Sequence, residues 1–478
     1  MRYAYCTLQN PMPNTLADWL FYLESLHPKT IALGLERVAQ VKQRLNLTPD
    51  FPIITVGGTN GKGSVCAMLE SILHAAGYKV GCYTSPHLLH YNERVRIGKR
   101  QASDVELCAS FEKIEQVRQS QGQSTHVGID IPKPTHPSPP LSGREQSPES
   151  AEVPLTYFEF GTLAAMQCFI AHKVEVAILE VGLGGRLDAV NVFDNDCAVV
   201  TSVDIDHTDY LGDTREQIAF EKAGIFRAGR VAVFGDLDMP EKIAAEALRI
   251  GVSLWRLGRE FGFEVGRATP DAAGIARPTV DGQWNFFGPS GKRHALPYPA
   301  LRGAFQLHNA STALAALDAL KEKLPVSMEA VRRGLVEVQL AGRFQLVPGR
   351  PTLILDVAHN PHAARSLAQN LSNLPPAKTF AVFAMLRDKD MAGVVQALDT
   401  HIDTWLVAGI AVPRGATAAE LAQVLQDTGV RGDIQTFGNI AEALQHAYNA
   451  AGENDRIAAF GSFYTVAEAM AEKGLRVL

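Results

Sequence analysis

The stretch IITVGGTNGKGS, Ile53 to Ser64, decides the fold. A β-branched run leads into a loop with four glycines set around Lys62, and a helical pattern begins at Val65. Glycines let backbone N–H groups approach a polyphosphate, the following helix presents its positive end, and the lysine adds a point charge. A nucleoside triphosphate is therefore the expected ligand. The match to the general G-x-x-x-x-G-K-[ST] pattern is imperfect, because Val56 stands where the first glycine belongs and Gly63 separates Lys62 from Ser64. Without its flanking strand and helix the stretch would read as a glycine-rich turn with a solvated lysine.

Outward from that loop, a chain of 478 residues is too long for one ordinary core and implies two or three domains. A net charge of −6, with Lys and Arg scattered, argues against nucleic acid or an anionic membrane as the main partner and favours small-molecule substrates. The N-terminus has no apolar core of signal-peptide length, and no run approaches the ~18 to 20 apolar residues needed to span a bilayer, so a cytoplasmic location is expected. Six cysteines (Cys6, Cys66, Cys82, Cys108, Cys168, Cys197) show neither a C-x-x-C pair nor histidines at zinc spacing, and read as reduced buried thiols.

Val- and Ile-rich runs recur between helical patterns at 53–56, 80–83, 174–181, 198–203 and 231–234, as in a mostly parallel sheet buried on both faces. The alternation resumes at 353–357, 379–385, 405–407, 434–437 and 457–460. The expected fold is α/β: a P-loop mononucleotide-binding domain over 1–340, and a second, smaller Rossmann-like domain over 341–478, with the boundary near Ala341. Residues 254–299 read as short antiparallel strands on the first domain. The Pro- and Ser-rich segment 120–153 lacks the apolar side chains to offset its ordering entropy and reads as a flexible insertion, with a proline-rich recognition motif as the other reading.

Three polar clusters follow strands, where open α/β sheets bind ligands. TSPH (84–87) offers Ser85, a hydroxyl suited to a hard cation such as Mg²⁺. In LEVGLGGRLDAVN (179–191), Glu180 ends an apolar strand and needs a partner, which a metal ion or a salt bridge would supply. TSVDIDHTDYLG (201–212) crowds Asp204, Asp206, His207 and Asp209 together, as a hydrogen-bonded loop or a cation site. Lys222, on a helical pattern, reads as solvated surface.

The motifs GGTNGKGS, TSPHL, YNERVRI, TYFEFGT, EVGLGGRLDAVN, DHTDYLG, FEKAGIFR, AGRFQ and DVAHNPHA, in this order, closely resemble folylpolyglutamate synthases of the Mur ligase superfamily, in particular the bacterial bifunctional dihydrofolate synthase/folylpolyglutamate synthase family. The resemblance spans nearly the whole chain except the insertion, and the shifted phosphate-loop sequence is the form that family uses. It implies an ATP-dependent ligase that joins L-glutamate to dihydropteroate and to the glutamyl tail of tetrahydrofolates through an acyl phosphate, acting as a monomer. ATP would be held by Gly58, Thr59, Asn60, Gly61, Lys62, Gly63 and Ser64, with Asn309, Arg343 and Asp356 contributing from the linker and second domain. Ser85, Glu180 and His207 match the magnesium ligands. Lys222 matches a lysine that the family carbamylates, supporting a second Mg²⁺. Thr156, Tyr157, Phe158 and Glu159, with Leu187, Asp188 and Ala189, match pterin contacts. His359 and Lys389 are read as glutamate or phosphate contacts. Lys62, His207 and Lys222 would carry the catalysis. The rival readings are a Mur-type peptidoglycan-precursor amino-acid ligase, against which TYFEFGT and GRLDAVN argue, and a P-loop ATPase or switch without ligase activity.

Overall fold

The computed structural model describes residues 13–27, 31–120, 152–265 and 283–477. Most of the expected insertion, residues 121–151, and Cys6 lie outside the described residues. The first eight strands are β1 (Ile53–Gly57), β2 (Val80–Tyr83), β3 (Val95–Ile97), β4 (Arg100–Gln101), β5 (Val176–Glu180), β6 (Cys197–Val200), β7 (Val231–Phe234) and β8 (Ser253–Arg256). They form one sheet in the order β4-β3-β2-β5-β1-β6-β7-β8. Only β3 and β4 run antiparallel to their neighbours.

Strand β1 sits between β5 and β6, so the chain leaves it toward β2 on one side and later arrives at β6 on the other. Such a divergence opens a crevice at the carboxyl ends of the strands. Both faces of β1 are buried: Ile53 packs into one apolar cluster, and Ile54 and Val56 into a second, which contains Val65, Met68 and Leu69 of the phosphate-loop helix Lys62–Ala75. That two-sided burial is why the strands read as continuous apolar runs.

Strands β9 (Gly262–Val265), β10 (Gln283–Gly288) and β11 (Gly291–Pro297) make a separate antiparallel sheet, as expected for residues 254–299. The start of that stretch differs: Leu254 and Trp255 lie in β8, which is parallel to β7 and extends the large sheet. The helix Glu241–Ile250 between β7 and β8 provides the crossover that parallel pairing requires.

The remaining strands, β12 (Gln345–Val347), β13 (Thr352–Asp356), β14 (Thr379–Phe383), β15 (Thr404–Ala408), β16 (Asp433–Phe437) and β17 (Arg456–Phe460), form a six-stranded sheet in the order β12-β13-β17-β14-β15-β16, in which only β12 is antiparallel. It has its own two apolar clusters, one around Trp405, Phe383 and Phe460. No helix among the described residues is long and apolar enough to cross a membrane. Of the described cysteines all are free; Cys66, Cys82, Cys168 and Cys197 are buried and Cys108 is partly exposed.

The flanks of 121–151 meet. Val153 N donates to Arg118 O (3.2 Å), and the buried Arg118 guanidinium binds Glu115, Tyr22, Glu152 and the Val153 carbonyl. Arg44 donates to the carbonyls of Val117, Arg118 and Ser120.

Helix Met328–Glu337 supports the phosphate-loop helix from behind, and Gly334 makes the approach close: a Cβ there would lie 2.5 Å from Ile72 Cα. Gly334→Ala gains helix propensity of about 1 kcal/mol but forces the two backbones apart. The expected net result is a destabilisation of about 1–3 kcal/mol, measurable by urea unfolding.

Candidate active site

The loop after β1 turns on two left-handed glycines, Gly58 (φ +138°) and Gly61 (φ +85°). A side chain at Gly58 would strike Thr201 Oγ1 at 1.9 Å, and one at Gly61 would strike Asn309 Oδ1 at 2.7 Å. Because Gly61 turns the chain straight into the helix, helical residues begin at Lys62, earlier than the Val65 start read from the pattern. Gly63 and Ser64 thus lie in the first turn, where N–H groups have no helical acceptor. Residues 201–204 clamp the loop: Thr59 N donates to Ser202 O (2.9 Å), Thr201 Oγ1 to Asn60 O (2.6 Å), and Thr59 Oγ1 to Asp204 O (3.1 Å). The Lys62 ammonium folds back on the carbonyls of Gly58 (3.0 Å) and Thr59 (3.1 Å), and burial lowers its pKa.

A cavity of about 510 Å³ opens beside this loop, between the two large sheets. It takes in every residue from Gly58 to Ser64, together with Ser85, Glu180, His207, Lys222, Asn309, Arg343, Asp356, His359 and Lys389. Glu180, the last residue of β5, is buried and accepts a hydrogen bond from Ser85 N (3.1 Å); no ion pair among the described residues reaches it. Burial raises its pKa, with Lys62 as the main opposing charge. A buried carboxylate that shares the cavity with a hydroxyl and an imidazole is a donor set a hard cation fits, with nucleotide oxygens and water completing the shell. No cluster of three or more His, Cys, Asp or Glu with metal-holding geometry occurs among the described residues, so protein atoms alone do not make a cage.

Contrary to the solvated reading, Lys222 is 3 % exposed. Its helix, Arg215–Ala223, is drawn onto the loop after β5 by Arg186, which donates N–H to Glu221 O and pairs with the Glu221 carboxylate, both at 2.8 Å. Burial, and then the charge of Lys62, push the Lys222 amine down to about 7.

The second half of the chain meets this surface with polar groups. Asp206 receives Lys389 Nζ at 2.7 Å and Asn360 Nδ2 at 3.1 Å, with His359 Nε2 at 3.8 Å. Burial opposes its charge, but Lys389, His207 and His359 together hold the carboxyl well below the usual range. Asn60 and Asn360 exchange amide hydrogen bonds at 3.2 Å each way, and Asn60 Nδ2 also lies 2.8 Å from His362 Nδ1. His207 and His359 are pushed down to about 4, mainly by burial and by Lys389, so both imidazoles are neutral at neutral pH. Arg343 stacks 5.1 Å over Phe463, faces Gly63, and its Nη1 is buried with no hydrogen-bond partner among the described residues. Asp356, at the end of β13, accepts from Phe344 N and Ala358 N at 2.8 Å each.

The expected pterin contacts do not line this cavity. Thr156 caps helix Tyr157–Ala171 reciprocally with Glu159, and Glu159 pairs with Arg37 at 2.9 Å. Asp188 is buried and bends its loop by accepting from Leu183 N (2.8 Å) and Val190 N (3.1 Å), with burial raising it to about 7. Leu187 O accepts from Gly34 N and Ala189 opens the short turn Ala189–Val192. Tyr157 packs edge-on against Tyr91, while Phe158 presses on Gly182, a cavity-wall residue. Asn360, His362 and Phe463 were missed from sequence; only the polar residues of DVAHNPHA offered a signal for the first two.

Two family models match the chain: the Mur ligase middle domain over residues 141–317, and the Mur ligase glutamate ligase domain over 342–463. A dihydrofolate synthase/folylpolyglutamate synthase of Escherichia coli is 43 % identical over 457 residues, covering 95 % of this chain and 94 % of its own length. The chain belongs to the dihydrofolate synthase/folylpolyglutamate synthase family of Mur ligases. Solved members of the family share the whole fold. The E. coli FolC structure in complex with DHPP and ADP superposes with a TM-score of 0.83 at 42 % identity, covering 97 % of this chain and 99 % of that one. A bifunctional folylpolyglutamate synthase/dihydrofolate synthase with Mn, AMPPNP and L-glutamate bound gives 0.81 at 43 % identity, covering 97 % and 98 %. In Mur ligase terms, Glu180, His207 and Lys222 fall within the middle-domain match and Arg343, Asp356, His359 and Lys389 within the glutamate ligase match, so the cavity lies between the two.

The depressed Lys222 amine has a stability signature. The native amine releases its proton near pH 7 while an unfolded lysine keeps it to about 10.4, so in between the unfolded state binds more protons and stability rises with pH. Lys222→Met is expected to remove that rise, worth at most about 1.4 kcal/mol per pH unit, as measured by denaturant unfolding at pH 7 and pH 9.

Proposed function

We propose that this cavity carries out ATP-dependent ligation of L-glutamate to dihydropteroate, forming dihydrofolate, and to the glutamyl tail of tetrahydrofolates. The observation that carries the reading is Arg343, a buried guanidinium with an unpaired nitrogen, set against the phosphate loop from the opposite half of the chain. Arginine stays charged at any working pH, and its planar fork suits phosphate oxygens. The same reading assigns 1–340 and 341–478 as two domains, and takes the protein as a cytoplasmic monomer.

A carboxylate acylates poorly, so the substrate carboxylate first attacks the γ-phosphate of ATP in line, giving an acyl phosphate and ADP. The amides of Gly58 to Ser64 hold the phosphates, and Lys62 exchanges its loop carbonyls for phosphate oxygens. Arg343 neutralises charge on the transferring group, and Asn309 and Asp356 position the nucleotide. The amine of L-glutamate then attacks the acyl carbon, phosphate leaves the tetrahedral intermediate, and an amide results. His359 and Lys389 receive the glutamate or phosphate anion. Packing of the second half over the loop keeps water from the acyl phosphate.

ATP and a divalent metal ion are supported by relatives solved with AMPPNP and Mn. Ser85, Glu180 and His207 would hold the ion, whose charge lowers the cost of phosphoryl transfer when bound. We assign a second ion to a carbamylated Lys222: a lysine titrating near 7 has the neutral amine that reacts with carbon dioxide. The pterin is assigned to Thr156, Tyr157, Phe158, Glu159, Leu187, Asp188 and Ala189, supported by Phe158, which backs the cavity wall at Gly182.

Purified protein with Mg-ATP and L-glutamate is expected to release ADP with dihydropteroate and with tetrahydrofolate, and at background level without acceptor. Release with tetrahydrofolate alone would remove the dihydrofolate synthase activity, and acceptor-independent release would revert the protein to a simple ATPase. Arg343→Met is expected to lower kcat about 10²–10³-fold, the cost of deleting one preorganised group at a developing charge, while the fold's unfolding midpoint is retained.

A further inference from the structure

Arg96, on β3, uses its whole guanidinium behind the cavity wall. Nη1 donates to Thr84 Oγ1 (3.1 Å) and to Glu93 O (2.8 Å), Nε to Glu70 Oε2 (2.9 Å), and Nη2 to Cys82 Sγ (3.2 Å). Glu70 belongs to the phosphate-loop helix, two turns beyond Lys62, and Thr84 immediately precedes Ser85. Glu93 in turn captures three successive amides, those of Leu88, Leu89 and His90, at 2.7 Å each. Leu88 and Leu89 pack into the apolar cluster of the second half that contains Val357 and Val466. Loop 84–89 therefore bears Ser85 at one end and an apolar seat on the other half at its far end.

We propose that Arg96 is a positioning residue for the cation site, bracing loop 84–89 against the phosphate-loop helix so that Ser85 and the phosphate loop keep one fixed spacing. The inference rests on the assignment of Ser85 as a cation ligand. A planar fork is needed because the four acceptors lie in different directions, which a single ammonium cannot span. A merely structural arginine would change stability and leave cation affinity alone; a brace changes affinity.

The test is Mn²⁺ binding to the full chain in the presence of AMPPNP, followed by electron paramagnetic resonance of free Mn²⁺, with unfolding midpoints recorded alongside. Arg96→Gln is expected to weaken Mn²⁺ about tenfold, Arg96→Lys by an intermediate factor, and Thr84→Val about threefold, the scale of one lost hydrogen bond. Since Arg96→Gln leaves Glu70 buried and unpaired and can fail to fold, Thr84→Val, which deletes one acceptor and keeps the ion pair, is the deciding variant. Ser85→Ala is the reference. If Ser85→Ala weakens Mn²⁺ while Thr84→Val and Arg96→Lys bind as wild type, the brace is overturned and the cation ligand stands. If Ser85→Ala also binds as wild type, the ligand assignment falls and the brace with it.

Discussion

A charged group buried between two sheets must find partners on both, and Asp206 is where this chain concentrates that requirement. It leaves the loop after β6, beside the phosphate loop, and besides the N–H of its neighbour His207 the groups that satisfy it, Lys389, Asn360 and His359, come from the second half. Removing either side would strand a buried charge, which costs far more than the pair contributes. The reciprocal amide bonds of Asn60 and Asn360 extend the same dependence to the phosphate loop itself. The site thus exists as a unit only when both halves are in contact, and its chemistry is coupled to that contact by polar satisfaction as well as by the apolar seat of Leu88 and Leu89.

The cavity also sorts its bases. Burial keeps His207 and His359 as neutral imidazoles and lowers Lys222, while Lys389 stays paired with a carboxylate. Lys62 and Arg343 are cations that face the space beside the loop, the first held by carbonyls that a phosphate can replace and the second with an open nitrogen. A site with a carboxylate, a hydroxyl and a neutral imidazole around its cation position and fixed positive charge around its anion position can bind a metal–polyphosphate without like charges meeting, and low polarity nearby strengthens each contact.

What the sequence disclosed follows physical lines. Local patterns were readable: the two-sided burial of β1, β5 and β6, the glycine loop, and the strand-end residues Ser85, Glu180 and His207, which the structure brings to one cavity. Residues whose role depends on packing at a distance were not. Lys222 has the helical context of a surface lysine and is buried because its helix packs Ile218, Ala219 and Ala223 into the core and pairs with Arg186. The parallel pairing of β8 depended on the crossover helix before it, which irregular Gly, Trp and Phe spacing hid. Asp206 looked like one acid among several, since nothing within residues 201–212 reveals that Lys389 lies across from it.

The flanks of residues 121–151 have a different consequence. Because Arg118, on a flank held by Glu115 and Arg44, ties the two ends together through Glu152 and the Val153 backbone, chain closure there is completed by groups outside the segment. Doubling the length between such fixed posts adds only about 0.6 kcal/mol of closure entropy. This position is therefore a splice point, where evolution can lengthen the chain or an engineer can graft a reporter domain while the ligase scaffold stays in register.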